Sequence, residues 1–405
     1  MSPARETLPA SGPSHAHRHS PTRVFTWLVC CVAAVLGFSL VFANTWVGQA
    51  SRALTPVNVD PLVSAVPSAT TGATTSPEPT ASTGGKAINI LLMGSDQRNG
   101  ANSKIGGYVG GMRNDTTIIM HISADRSRID MVSIPRDAQV KIPDCKLFDG
   151  KVVKGWTGDF NVAFANGGKE GHPAEAAACV INTVQKMSGI KIDHWAVVDF
   201  KGFEKMVNAL GGVPMCIPEH IVSKKARLNL KAGPQILNGT QALGLARMRT
   251  AEVGDVSGSD LQRIARQHEL LRQMSRVVLS KNMLTDAGQL TQFFKALASS
   301  LTMDPALASP KYLLGLAFSL RNIEPANIKF NTIPWRLTSD YLNVIINKNA
   351  STMWAQMRAD KRLTSVGSDT AGNAWDKVID KSPTRVTASP DATVANNPLL
   401  AGCTA

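Results

Sequence analysis

The chain has 405 residues, 43% of them hydrophobic, which suits one large folded domain with appendages or two ordinary domains and excludes a chain without a core. Its formal net charge is +13, and the residues before Val24 hold only Arg5, Arg18 and Arg23 against Glu6, so the excess sits in the body and points to an anionic partner: phosphate, nucleic acid or a membrane surface. The 6 cysteines include no C-x-x-C pair, which excludes a zinc ribbon and a thioredoxin motif.

Residues 1–23 read as a short cytoplasmic tail. Residues 24–47, VFTWLVCCVAAVLGFSLVFANTWV, carry no charge. Crossing a bilayer core takes about 20 apolar residues, whereas the apolar part of a cleaved signal runs about 7–15. The length therefore predicts a retained transmembrane signal-anchor. Arg18 and Arg23 precede it, with His15, His17 and His19, and only Arg52 follows closely. The positive-inside rule then keeps the N-terminus in the cytoplasm and exports the rest. Cys145, Cys179, Cys216 and Cys403 would lie in an oxidising compartment, where they can form two disulfides in any of three pairings. Residues 48–86 end in SPEPTASTGGK and hold too few large apolar side chains for a core, so they read as a flexible linker.

Periodic structure starts at Ala87. AINILLMGS (87–95) reads as a buried strand closed by glycine. Residues 116–123 and 128–135, rich in β-branched side chains and separated by a short polar turn, read as a hairpin or neighbouring strands. AEAAACVINTVQKMSG is helical and ends on Gly189 as a cap. HWAVVDF (194–200) returns to strand, and KGFEKMVNALGG is a short helix ending on Gly211 and Gly212. Asp260 is placed to cap a long helix reaching about Met283, with Leu261, Ile264, Leu271, Met274 and Val278 as its apolar stripe. Helices are expected over TQFFKALASSL and PKYLLGLAFSL, then a strand IKFNTIPW and a last helix near Trp354. Residues 361–405 read as a loose tail that Cys403 can pin. Alternating strands and helices over 87–360 predict an α/β domain with helices on a central sheet.

The common hydrolase templates are absent: no G-x-S-x-G, no H-E-x-x-H and no Walker loop. Asp and Arg instead collect at strand ends. Asp96 closes the first strand, Arg113 and Asp115 open the second, and Arg136 and Asp137 close the third. If these strands are neighbours, the charges meet at a sheet edge, where open α/β sheets bind ligands. A second cluster comprises Arg247, Arg249, Asp260, Arg263, Arg266 and Gln267; positions 263, 266 and 267 share one helix face. Carboxylates with open positions suit a hard cation such as Mg2+, and arginines bind phosphate oxygens bidentately. Together they describe a diphosphate site. The plain alternative for the arginines is a solvated basic face.

At this point GSDQR, RNDTT, SIPRD, FNVAFANGG, DHWAVVDFKGFEKMVNALGGV, LNGTQALGLARMR and GSDLQRIARQ resemble, in order, the signatures of the LytR-CpsA-Psr family, of the actinobacterial type, over about residues 88–279. The resemblance implies a central mixed β-sheet flanked by helices. It also implies an exported transferase that takes a glycan or glycan phosphate, from arabinogalactan or another wall glycopolymer, off a polyprenyl-diphosphate donor and joins it to peptidoglycan. Asp96 and Asp115 would hold Mg2+ (or Mn2+), and Arg113, Arg136, Arg247, Arg249, Arg263 and Gln267 would line the diphosphate. Asp115 and then Asp137 are the candidates to take the acceptor's proton. Asp159 stands where the family usually has Lys, with Lys151 and Lys154 as the nearest replacements. The Gly-rich loop from Asn99 to Gly111 is expected to move over the site, and TQFFKALASSL and PKYLLGLAFSL either line a groove for the lipid or form ordinary core. Competing readings are a lipid-diphosphate phosphatase or pyrophosphatase, glycosylation of a surface protein, and a non-enzymatic envelope regulator or scaffold. With the basic domain outside the cell, no nucleic-acid partner is expected.

Overall fold

The computed structural model describes residues 55–66, 85–97, 102, 111–254, 260–279, 301–339, 343–364, 397–400 and 403. The chain divides into compact units Met1–Gln49 and Ala50–Ala405, and everything described belongs to the second. The expected membrane segment 24–47 lies outside the described residues; no helix among those described is long and apolar enough to cross a membrane.

In chain order, β1 is Thr55–Pro56, β2 Ile88–Ser95, β3 Asn114–Ile122, β4 Ile129–Ile134, β5 Ala138–Lys141 and β6 Thr157–Asp159. Helices α1 (Asn161–Gly167) and α2 (Pro173–Ser188) follow, then β7 (His194–Val198), α3 (Phe200–Ala209), β8 (Val213–Ile217), β9 (Gly233–Leu237), α4 (Gly239–Arg247) and α5 (Asp260–Val278). The last elements are β10 (Leu301–Met303), α6 (Pro310–Ser319), β11 (Ile328–Thr332), β12 (Trp335–Leu337), β13 (Val344–Ile346) and α7 (Ala350–Arg358). The central sheet runs β1-β10-β7-β2-β3-β4-β11, and β12-β13-β5-β6 form a smaller sheet beside it. The central sheet is mixed: β2 pairs antiparallel with β3 and parallel with β7, and β4 pairs antiparallel with β3 and parallel with β11.

Both faces of the sheet are covered, so its strands are apolar on both sides. Leu91, Met93, Ile119, Val132 and Trp195 turn to one core, shared with α1, α2 and α7. Ile90, Ile118, Ile122, Met131 and Ala196 turn to the other, with Tyr312 and Leu316 of α6. A third core joins β8, β9, α3, α4 and α5. Two ends are cut as the sequence predicts: Gly189 closes α2 in the left-handed region at φ 65°, and Asp199 caps α3 by accepting a hydrogen bond from Gly202 N at 2.7 Å.

Several expectations change. Residues 55–66, inside the expected linker, are docked: β1 pairs with β10, Val59 and Leu62 are buried, and Ser64 N donates to Asn182 Oδ1 at 2.7 Å. A few well-spaced apolar residues suffice here because α2 supplies the complementary surface. The expected TQFFKALASSL helix lies outside the described residues except Leu301, which is in a strand. Pro334 divides the expected late strand into β11 and β12, since proline cannot donate to a ladder. The cysteines pair as Cys145–Cys179 and Cys216–Cys403, so Cys403 does tie the C-terminal segment to β8.

Candidate functional site

The carboxyl ends of β2, β4 and β7 and the start of β3 meet at one edge of the sheet, because Ser95 is in register with Asn114, Thr117 with Ile134 and Gly94 with Val198. Asp96 Oδ1 accepts from Arg113 N at 2.6 Å, and Arg113 O accepts from Asp96 N at 2.8 Å, which locks the two strand ends together. The Arg113 side chain is exposed beside them. Arg136 leaves the end of β4 and donates through Nη1 to Asp115 Oδ1 at 2.7 Å. Its Nε lies 3.1 Å from Asp137 Oδ1 and 3.5 Å from Asp260 Oδ1, close enough for charge attraction but without the alignment of a hydrogen bond. Arg249 approaches Asp115 Oδ1 at 3.5 Å from α4's far end. One guanidinium thus lies among three carboxylates, with further arginines around it.

Helix α5 closes the site from the other face of the chain. Its basic positions are not a solvated face: Arg263 and Arg266 are 2% and 1% exposed. Arg263 pairs with Asp260 one turn earlier and donates to Asp115 O at 3.2 Å. Asp260 opens α5, and its carboxyl is pushed above the usual range, first by burial and then by Asp137 and Asp115, against the pull of Arg263 and Arg136. Arg266 and Gln267 do a different task. Arg266 donates to Met248 O, and Gln267 Nε2 donates to Ala246 O at 3.0 Å, so both satisfy carbonyls left open at the end of α4. That fixes the turn presenting Arg247 and Arg249. Burial, and then Arg263, lowers the Arg266 pKa to about 10. Arg247 stacks over the Phe200 ring, 4.0 Å from its centroid.

Below these charges lies a cavity of about 290 Å3. Asp115, Asp199, Arg247, Arg263 and Gln267 stand among its lining with Ser95 and Thr116, and the remainder is apolar, including Phe200, Phe203 and Met206 of α3 and Leu271 and Met274 of α5. A space with charged groups at its margin and hydrocarbon walls suits an amphiphile with an anionic head.

Residues 63–364 match the LytR_cpsA_psr family. The chain belongs to that family. Among relatives of this LytR_cpsA_psr chain, the probable cell wall biosynthesis protein LcpB of Corynebacterium glutamicum is 35% identical over 188 residues, 45% of this chain and 39% of that one. The cell wall biosynthesis protein LcpA of the same organism is 29% identical over 269 residues, 61% of this chain and 50% of that one. The matched region thus spans half or less of these two relatives. The regulatory protein MsrR of Staphylococcus aureus is 26% identical over 277 residues, 68% of this chain and 72% of that one. Among solved structures, a LytR-Csp2A-Psr enzyme from Actinomyces oris superposes with a TM-score of 0.51 at 20% identity, covering 75% of this chain and 96% of that one. A Streptococcus agalactiae protein gives 0.54 at 22%, covering 73% and 95%. At such identities the likeness is one of fold: the mixed sheet with helices on both faces.

Within this LytR_cpsA_psr domain, Asp96, Arg113, Asp115, Arg136, Asp137, Arg249 and Arg263 collect at one sheet edge, while Arg247 and Gln267 reach the cavity from α4 and α5. Asp159 is engaged by Gln139, while Lys151 and Lys154 pair with Asp149 and Asp144. Of the loop expected to move over the site, Asn102 is described and buried, donating to Asp199 Oδ2 at 2.8 Å; most of the rest lies outside the described residues. The apolar walls were missed. Phe200, Phe203 and Met206 recur every third residue along α3, a one-sided stripe that reads as core until the cavity behind it is known. PKYLLGLAFSL, the other candidate wall, is core instead, with Tyr312 and Leu316 buried.

The donor set also bears on a metal. Asp96 and Asp115 are hard oxygen donors on adjacent strand ends, and among the described residues no three His, Cys, Asp or Glu side chains converge on a point. Two such carboxylates are the donor set that a cation such as Mg2+ takes when water and substrate phosphate complete its shell.

Proposed function

We propose that this chain transfers a wall glycopolymer, as glycan or glycan phosphate, from a polyprenyl-diphosphate carrier to peptidoglycan. The observation that carries the reading is the cavity: hydrocarbon walls for a prenyl tail, with arginines at its margin for the diphosphate. Arg113, Arg136, Arg247, Arg249 and Arg263 bind and orient the phosphate oxygens, and Gln267 holds the turn that carries two of them. Asp96 and Asp115 would hold Mg2+ (or Mn2+), which when bound neutralises charge on the diphosphate. For transfer of a glycan phosphate, the acceptor hydroxyl attacks the phosphorus nearest the glycan. The bond from that phosphorus to the bridging oxygen breaks, and polyprenyl phosphate leaves with the electron pair. The hydroxyl proton passes to a carboxylate, Asp115 or, second, Asp137. Fixed arginines stabilise the charge that gathers on the leaving oxygen.

The reading places residues 24–47 in the cell membrane as a signal-anchor and the domain outside the cytoplasm. Two disulfides support an oxidising compartment. The test is incubation of the full chain with a radiolabelled lipid-linked glycan and peptidoglycan, comparing wild type with Asp115→Ala. Coupled label that disappears in the variant is the expected result. Glycan phosphate released to water without coupling, leaving polyprenyl phosphate, would make the chain a lipid-diphosphate phosphatase instead.

A further inference from the structure

Three of the five large apolar side chains exposed among the described residues fall within one short excursion: Phe148 at 50%, Val152 at 46% and Trp156 at 60%. The excursion links β5 to β6 and is held rigidly. Cys145 is bonded to Cys179 of α2, Phe148 N donates to Glu175 Oε1 at 2.6 Å, and Gly155 N donates to Asp144 Oδ1 at 2.9 Å. Gly155 is so closely seated on the backbone of Ile142 and Pro143 that a Cβ there would overlap both. The Trp156 ring lies close to Gly158. Three exposed apolar side chains on one fixed excursion are a candidate contact surface.

We infer that this excursion is the platform on which the acceptor glycan strand lies, with Trp156 stacking on the C–H face of a sugar ring. The inference rests on the transferase reading above and adds where the acceptor binds. Continuity with the transfer site selects this occupant. Ile142 N donates to Trp156 O at 2.8 Å, Phe160 N to Ala138 O at 2.8 Å and Asn161 N to Arg136 O at 3.0 Å, so backbone hydrogen bonds tie residues 156–161 to residues 136–142. At no more than about 3.3 Å per residue from Arg136 to Ile142, the separation is at most about 20 Å. Trp156 therefore holds the strand a few sugars away from the reacting hydroxyl and does not touch it. Charge argues against an anionic bilayer as the occupant. Lys151 is paired with Asp149 and Glu170, and Lys154 with Asp144, so apart from exposed Lys146 the cations of the excursion are matched locally, and the patch offers both donors and acceptors to hydroxyl and amide groups.

The test is cosedimentation of the full chain, in detergent, with purified peptidoglycan sacculi stripped of attached polymer. Trp156→Ala is expected to lower retention about five- to tenfold, the scale on which stacked aromatic groups act. Trp156→Phe should restore most of it, and Phe148→Ala should lose less. Arg136→Ala should be retained like wild type, so retention reads the platform even if the transfer chemistry is misassigned. Unchanged retention of Trp156→Ala overturns the inference. So does protection of Trp156 from oxidation in glycan-free nanodiscs combined with no protection on sacculi, which would give the patch to the membrane.

Discussion

At the carboxyl ends of β2, β4 and β7, three carboxylates share Arg136; at the other end of the same strands, each acid is enclosed by donors. There Asp360 accepts from Arg128 Nη2 at 2.7 Å and Ala124 N at 2.9 Å and meets His121 at 3.0 Å. Asp304 accepts from Trp195 N, Ala306 N and Leu307 N and faces His194, whose other nitrogen meets the Tyr312 hydroxyl at 2.6 Å. Burial, and then Asp304, holds that hydroxyl protonated, its pKa pushed up to about 12. The site end is different. Asn114 Oδ1, Arg136 Nε, Asp260 Oδ2, Arg263 Nε and Arg266 Nε are buried without a hydrogen-bond partner among the described residues. A buried polar atom left unpaired costs stability. Unpaired donors and acceptors gathered at one edge are the pattern of a site completed by ligand, whereas the donor-saturated carboxylates of Asp360 and Asp304 at the far end hold the fold together.

The contrast predicts that substitutions at the two ends separate activity from stability. The largest effect is expected from Arg136→Ala: coupling of lipid-linked glycan to peptidoglycan falls about a hundred- to a thousandfold, as when one preorganised donor is removed. The thermal midpoint should barely move; a large fall would mean that Arg136 is structural. Next comes the response to acid. His268, hydrogen-bonded to Ser133 Oγ at 2.7 Å beneath the site, has its pKa lowered to about 4, first by burial and then by Arg272. The unfolded chain takes up a proton there near pH 6.5, so stability is full above that pH and declines as pH falls towards 4. The decline attributable to His268 is up to about 3 kcal/mol. Urea titrations of wild type and His268→Gln across this range should show a flatter curve for the variant; identical slopes would break the assignment.

At the far end, Asp360→Ala strips Arg128, His121 and Ala124 N of a shared acceptor. With Asp360 29% exposed, a loss of about 2 kcal/mol is expected by chemical denaturation, with transfer per folded molecule unchanged. The smallest effect belongs to Gln267→Leu, which removes a tie to Ala246 O. Transfer should fall only about three- to tenfold, mainly through weaker donor binding, because the turn bearing Arg247 and Arg249 loosens while its arginines remain. A loss as large as that of Arg136→Ala would instead make Gln267 a direct phosphate contact.

The sequence by itself determined the elements with strong local signals: AINILLMGS as a strand, the helix ending on Gly189, and the Asp and Arg at strand ends. Period-two and period-3.6 patterns and glycine caps are properties of a short stretch, so they survive without tertiary information. Register did the remainder. Only the pairing of β2, β3 and β4 brings Asp115 to Arg136, and only the packing of α5 on α4 buries Arg263 and Arg266, which in isolation read as a solvated basic face. The hydrocarbon walls of the cavity, the choice of Cys145–Cys179 and Cys216–Cys403 among three pairings, and the docking of residues 55–66 on α2 likewise involve partners far apart in the chain. Composition and spacing cannot rank such long-range pairings, because the free energy that selects them arises only when the two surfaces meet.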